Sequence, residues 1–448
     1  MVKGKTILTG RIVLPGASEY EQARMDYNSR FSKYPLVIVF CQCMDDVVNA
    51  VKWSRENDVP LRARSGRHSF EAFSLVDKGI IIDVSEMTKV HVDKQGGIAK
   101  VQTGIALGDL YAELFRYGVT IPAGTAPDVG VAGLTLGGGI GFLHRIWGLT
   151  IDNLVEVEMV VASGEHGAKV IKANDCMNRD LFWASLGGGG GNFGIATTFT
   201  FKVHPIRDVS IYKINWDWND IEPVFQTWQN WAPYICRRLT SDITLGSKLN
   251  GTIISTGQLL GTKVELKDLL KPLLKAGTPT EVMIKTVPFK DAVTFFAEPD
   301  LIEFHKFKNT GAFGYHPLPA KGIKTMIEYL RDAPNRNSDV WGQSLGGAVS
   351  DVSPSETAYY HRGAKYILEF ATRWKNDREE FENIRWVNDF RKAMLPYMKG
   401  NYVNFPDLDI KEWELTYYGA NMNRLIKIKR KYDPYNVFNF PRSIPLNE

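Results

Sequence analysis

The sequence predicts an α+β protein of two domains, and three observations carry that prediction. The chain has 448 residues, more than one ordinary hydrophobic core holds. Its first half alternates strand-like and helix-like segments, whereas the part beyond residue 206 mixes broad strand signals with charged helices. Glycine is dense in the first half and thins out past "KVHPI" (202–206), which puts the boundary near 206.

The elements follow in order. "LVIVFCQ" (36–42) is a strand-like apolar run. "MDDVVNAVKWSRENDV" (44–59) has an acidic first turn and apolar residues at helical spacing, so it reads as an amphipathic helix. "GIIIDVSEM" and "IAKVQTG" are rich in β-formers and bounded by turns. "LGDLYAELFRYG" (107–118) is a second helix, with Gly118 as its left-handed stop. In the second half, "KYILEFATRW" (365–374) reads as a strand and "DREEFENIRWVNDFRKAMLPYM" (377–398) as a charged helix. The segment 423–445 is a helix followed by a proline-punctuated tail that could return to the first domain.

Composition narrows the function classes. Apolar residues make up 44% and charged residues 23%, as in soluble globular proteins. The net charge of +4 comes from 54 basic and 50 acidic residues, with no block of like charge, so neither nucleic acid nor an anionic membrane surface is expected. The N-terminal residues have no apolar signal region and the chain has no apolar run of membrane-spanning length, so a cytoplasmic enzyme is the expectation. No protein partner is evident. Cys41, Cys43, Cys176 and Cys236 fit neither a zinc pattern nor a disulfide framework and read as free packing residues. No two histidines stand at ligand spacing, so no metal is expected.

The most informative stretch is "GTAPDVGVAGLTLGGGIGFLHRIWGLTIDN" (124–153). Glycines at 130, 133, 137, 138, 139, 141 and 148 strip side chains from what reads as a long, partly apolar loop. Exposed N–H groups there could cradle a pyrophosphate; close packing of chain on chain is the other explanation. A second run, "SLGGGGGNFGIATTFTFKV" (185–203), contains a formal G-x-G-x-x-G at Gly189, Gly191 and Gly194. That fingerprint needs a helix after it, but "IATTFTFKV" alternates and reads as a strand, so a nicotinamide site is the weaker reading.

"RARSGRHSFEAF" (63–74) places His68 on a neighbouring loop. The histidine could be a surface residue, a core residue, a metal ligand or an attachment point. Flavin chemistry suits the last of these, since an imidazole nitrogen can bond to the 8α carbon of an isoalloxazine ring.

Several motifs in sequence order resemble the berberine-bridge-enzyme-like branch of the FAD-linked oxidases, the vanillyl-alcohol-oxidase or PCMH type. They are "RSGRHS" (64–69), "IIDVS" (81–85), residues 130–154, "DLFWASLGGGGGNFGIAT" (180–197), "TAYYHR" (357–362) and "YDPYNVFNFPRSIP" (432–445). The resemblance implies a two-part PCMH-type FAD-binding domain over residues 1–206, a substrate domain over 207–422 with an antiparallel sheet covered by helices, and a tail over 423–448 returning to the FAD domain. It implies FAD joined through an 8α-N-histidyl bond to His68. It also brings to the flavin Arg64, Ser65, Gly66, Arg67 and Ser69; Val129, Gly130, Gly133 and Leu134; Gly137, Gly138, Gly139 and Gly141; and Asn153, Gly194, Ile195 and Asn421. Many relatives carry a second, cysteinyl tether where this chain has Ala126, so a single bond is expected. Val129 stands at a position thought to gate oxygen in the family, and a small residue there suits an oxidase.

The departures bear on catalysis. Arg67 stands where the family usually has glycine, Leu134 where a histidine is common, and Phe70 and Phe405 where tyrosines are common. In "YVNF" (402–405) the family's base position therefore lacks a hydroxyl. The remaining candidates are Glu369, sharing a strand face with Ile367 and Ala371; Gln343, with an edge-strand glutamine as the plainer reading; and Tyr402, which a period-two reading puts opposite Phe405. Trp228, Trp231 and Trp341 could be sugar-stacking platforms or core. The leading expectation is an FAD-dependent oxidase that takes hydride from a small alcohol, sugar or related metabolite and reduces O2 to hydrogen peroxide. The alternatives are a flavin-retaining structural or coat-associated protein with little turnover, and an NAD-dependent dehydrogenase.

Overall fold

The computed structural model describes residues 5–297 and 306–447. Residues before 206 build two large sheets and a two-stranded pairing of Val119–Thr120 with His204–Pro205. The first has the order Arg11–Val13, Val37–Phe40, Ile80–Asp83, Leu61–Arg64. Its strands Val37–Phe40 and Leu61–Arg64 both run parallel to Ile80–Asp83. Parallel strands covered on both faces must be apolar throughout, which explains the uninterrupted "VIVF" and "III". The helix Met44–Glu56 packs on this sheet. It ends before 59 because Asp58 takes a left-handed φ of 55°.

The second sheet is antiparallel, in the order Val90–Asp93, Ile98–Gln102, Ile195–Lys202, Leu154–Ser163, Gly167–Asn174. Its central strand starts directly after Gly194. The helix that a dinucleotide fingerprint requires is therefore absent, and the nicotinamide reading falls. The helix Leu107–Arg116 covers this sheet and is followed by Gly118 at φ +70°, the expected left-handed stop. Residues 130–153 are not one long loop. They fold into short helices at Val131–Gly137 and His144–Trp147 and a 3-10 turn at Thr150–Asn153. With only Val, Ala, Leu and Thr between the glycines, helix formation outweighs the cost of Gly133.

Residues after 206 build a seven-stranded antiparallel sheet, ordered Pro279–Pro288, Asp208–Asp217, Thr252–Leu259, Leu239–Gly246, Ser338–Ser344, Tyr366–Trp374, Lys306–Gly314. The helices Ile221–Trp231, Ala320–Arg331 and Glu380–Met394 cover one face through Ile243, Val340, Leu368, Phe370, Val387 and Phe390. Trp228 is fully buried there and gives its indole N–H to Ser241, so it is core and no platform for a sugar. Trp231 likewise packs against that core, its N–H on the Leu269 carbonyl. The other face meets the glycine-rich half: Phe313 and Ile367 pack with Leu149 and Ile151.

From about residue 401 the chain returns to the first half. Trp413, Tyr417 and the helix Met422–Tyr432 join the core of the antiparallel sheet, and Phe438 joins that of the parallel one. Lys429, fully buried, donates to the Asn192 carbonyl, the Asp433 carboxylate and the Phe438 carbonyl, each at 2.7 Å. The four cysteines are free thiols.

Candidate active site

The strand Leu61–Arg64 delivers the "RSGRHS" loop to the seam between the two halves. Arg64 is buried and gives Nε to Asp83 at 2.5 Å, while Nη1 and Nη2 are buried without a partner among the described residues. A buried guanidinium with unused donors is costly unless an anion meets it. Gly66 lies against Gly130: a Cβ on either would fall within 2.4 Å of the other's backbone nitrogen. Ser65 gives its hydroxyl to the Thr103 carbonyl, and Ser69 caps the Phe73 amide. Arg67 adopts φ 60°, a conformation that glycine takes without penalty, and its carbonyl accepts from the Tyr27 N–H at 2.9 Å. His68 stacks on Tyr27 with ring centroids 4.3 Å apart, and its Nε2 lies 2.9 Å from Asp128.

Most glycines of the first run serve close packing of protein on protein. A Cβ on Gly137 would strike Asn404, on Gly138 Tyr359, on Gly139 Thr150, and on Gly141 the Ala123 carbonyl. Gly133 differs, with no atom within 4 Å of where its Cβ would sit. Facing it is the second run, where a Cβ on Gly190 would come 3.8 Å from the Gly133 Cα, and one on Gly191 would meet only Ala63 and Phe440. Gly190 thus packs on Gly133, while Gly133 and Gly191 leave open space beside Ala63 on Arg64's strand. The Val129 carbonyl accepts from the Leu107 N–H, which anchors the loop ahead of Gly130, and the Leu134 carbonyl accepts from the Asn404 amide.

Four of the expected cofactor residues are occupied with other parts of the chain. Gly194 packs its Cα against the Val160 carbonyl and Met159, and Ile195 is buried in the central strand. Asn153 donates to the Trp147 and Leu149 carbonyls and meets His204 at 2.6 Å. Asn421 gives its amide to the carbonyls of Pro354, Thr357 and Ala358.

Beside the His68 loop stands an aromatic wall. Phe70 stacks on Phe405 at 5.7 Å and meets Phe307 edge-on at 5.3 Å, while Trp341 meets Phe405 edge-on at 6.2 Å. Glu369 lies next to it, paired in the sheet with Gly311 and Trp341, and a Cβ on Gly311 would touch Phe405. The Asn309 amide donates to the Glu369 carboxylate. Gln343 belongs to an interior strand, flanked by Asp242 and Ile367, so it is not an edge glutamine; its Oε1 is buried without a partner.

Tyr402 and Phe405 do not lie on opposite faces of a strand. Residues 402–405 form a turn closed by the Phe405 N–H on the Tyr402 carbonyl, and the two rings sit 5.2 Å apart. The turn wins over the period-two pattern because Asn401 holds the backbone, accepting from the Tyr402 N–H and donating to the Phe405 carbonyl. The Tyr402 hydroxyl accepts from the Gly139 N–H at 2.8 Å and from Asn404 at 3.0 Å. Burial pushes its pKa up to about 12, so it stays a neutral phenol.

Sequence reasoning missed an ionic junction behind the aromatic wall. Lys308 reaches Glu71 at 2.7 Å, Asp407 at 2.6 Å and Asp409 at 3.1 Å; Arg30 completes the group on Glu71 at 2.6 Å. Burial opposes the charge of Lys308, but Asp407 and Glu71 outweigh it and hold its pKa above the ordinary value. Asn28 adds a neutral tie, its amide donating to the Phe70 and Phe307 carbonyls. Each partner comes from a distant segment with no local pattern, so only the fold could reveal the group. Asp128 was missed as well, although its place in the glycine-rich stretch was a usable signal.

Comparison with known proteins identifies the arrangement. Residues 35–167 match the family described as FAD binding domain, and residues 401–445 the family described as berberine and berberine like. YgaK of Bacillus subtilis, described as an uncharacterized FAD-linked oxidoreductase, is 50% identical over 441 residues, 98% of each chain. The aclacinomycin oxidase of Streptomyces galilaeus is 30% identical over 93% of this chain and 86% of its own. The solved structure of wild-type BBE-like 1 from Physcomitrella patens superposes with a TM-score of 0.91 at 32% identity, covering 98% of this chain and 97% of that one. The unused Arg64 donors and the open space beside Gly133 and Gly191 suit an anionic cofactor such as FAD. The chain therefore belongs to the berberine-bridge-enzyme-like family and is an FAD-dependent oxidoreductase.

Proposed function

We propose that this chain is an oxidase acting on a small alcohol, sugar or related metabolite, with Glu369 as the proton acceptor. The observation that carries the reading is the placement of Glu369 on the sheet face beside Phe405, where a carboxylate stands next to a position without a hydroxyl. Bound FAD supplies the electron acceptor, taking a hydride and returning the electron pair to O2 as hydrogen peroxide. Residues 1–206 with the tail 423–448 hold the cofactor, and 207–422 bring the substrate. Arg64 and the amides of residues 65–69 hold the pyrophosphate. His68 carries the single covalent bond to the cofactor, since Ala126 offers no sulfur. Gly133 presents bare backbone to the cofactor, and the Tyr402 phenol fixes Gly139 rather than accepting a proton.

Glu369 takes the substrate hydroxyl proton at its carboxylate while Asn309 holds the side chain in place. Gln343 offers Oε1 to a second substrate hydroxyl. Phe70, Phe307, Phe405 and Trp341 exclude water and offer ring faces and edges to an apolar or sugar surface. Relatives named as oxidases, among them aclacinomycin oxidase and chitooligosaccharide oxidase, support transfer to O2.

The test is anaerobic mixing of the yellow protein with a panel of alcohols and sugars, then admission of air. Bleaching by one class, followed by recovery of colour and one equivalent of peroxide, is expected. Bleaching without recovery in air would make the protein a dehydrogenase. No bleaching by any candidate would favour the structural reading that the missing tyrosines at 70 and 405 leave open.

A further inference from the structure

We propose that Asp128 prepares His68 for bonding to the flavin, by holding the proton on Nε2 and leaving Nδ1 as the nucleophile. The inference rests on the tethered-flavin reading above. A carboxylate only accepts hydrogen bonds, so at 2.9 Å from Asp128 the Nε2 of a neutral imidazole must be the protonated nitrogen. The lone pair then lies on Nδ1, which makes no hydrogen bond among the described residues. The partner of one ring nitrogen decides what the other can do.

The ring is also held from two other sides. Tyr27 stacks on it with an interplanar angle of 22°, and the Tyr27 N–H is bonded to the carbonyl of Arg67, the residue just before the histidine. Asp128 stands two residues before Gly130, and Gly130 lies against Gly66, two residues before His68. One backbone contact therefore sets the distance between carboxylate and imidazole. The hydrogen bond from His68 keeps the Asp128 carboxyl below its ordinary range, so it is ionised when needed.

In the attachment step the Nδ1–C8α bond forms and one 8α C–H bond breaks. The two electrons stay on the isoalloxazine ring, which takes up the C–H proton and the imidazole N–H proton. Dioxygen then removes both electrons and both protons as hydrogen peroxide, leaving an oxidised, tethered flavin. Positive charge grows on the imidazole as the bond forms, and Asp128 lies where it offsets that charge and passes the Nε2 proton on, through solvent, to the ring.

The experiment follows the acid-precipitable fraction of flavin in freshly purified protein, and its growth during incubation in air with added FAD. Peptide mass confirms the bond. Wild type should retain its flavin in the pellet, and His68→Ala should release all of it. Asp128→Ala and Asp128→Asn should bind FAD yet attach it about 10–100-fold more slowly, by analogy with metal-bound histidines that lose an orienting carboxylate. Asp128→Glu should recover part of the rate, which a purely structural role for the residue would not produce. Attachment by both Asp128→Ala and Asp128→Asn at the wild-type rate would overturn the role of Asp128 and leave the tether intact. Flavin released from the wild type itself would overturn the tether, and this inference with it.

Discussion

The two faces of the seven-stranded sheet are made by alternate residues of the same strands and obey opposite rules. On the strand Tyr366–Trp374, Leu368 and Phe370 enter a core with Val387 and Phe390, sealed by helices. One residue away, Glu369 stands among Asn309, Gly311 and Trp341 on the face turned to the glycine-rich half. The first face follows apolar transfer and packing density; the second keeps polar groups at the cost of their desolvation. Stability and chemistry are thus separated by one position in a strand.

The sharpest test of that separation is Glu369→Gln. Turnover should fall by about 10²–10⁴-fold, the usual share of a general base, while the urea midpoint stays in place. A large loss of stability instead would make Glu369 a structural residue and break the comparison. Phe370→Ala on the other face should do the reverse, costing about 3–5 kcal/mol in denaturant titration through the cavity beside Phe390 and leaving kcat/KM of the folded fraction unchanged.

A smaller effect sharpens the point that polarity near the cleft is bought with stability. Burial holds the Asp26 carboxyl up at about 6, against a hydrogen bond from Ser74. The folded chain binds this proton more tightly than the unfolded one, so the residue's stabilising contribution is fullest below about pH 4 and is lost as the pH rises to about 6. Asp26→Asn should lack that decline, a difference of about 2–3 kcal/mol in the stability change across this window. The smallest expected effect is Arg67→Gly. Relief of the left-handed backbone at φ 60° should raise stability by about 1 kcal/mol without altering the chemistry.

Much of the frame was legible because local patterns coincide with the elements they predict. The alternation in "IATTFTFKV" forecast a central strand after Gly194, and that alone disposed of the dinucleotide fingerprint. The parity of "KYILEFATRW" put Ile367, Glu369 and Ala371 on one face, as the sheet register has it. Reading failed where side chains, rather than periodicity, dictate the backbone. Asn401, through its two bonds to the backbone, turns a strand-like "YVNF" into a tight turn, bringing together rings that alternation would separate. It failed again for glycines, whose absent Cβ serves a ligand or a neighbouring loop equally well. Only the structure distinguishes Gly133, with space around it, from Gly141, pressed on the Ala123 carbonyl. The Lys308 junction had no linear trace, because its partners lie more than two hundred positions apart in the case of Glu71.

The late return of the chain has a consequence for biosynthesis. Lys429 and Phe438 complete the cores of sheets whose strands were all made before residue 206. A growing polypeptide that has just finished those strands still lacks the helix and tail that close them. The N-terminal half must therefore wait, open, until the segment through residue 438 has left the ribosome and can fold back onto it.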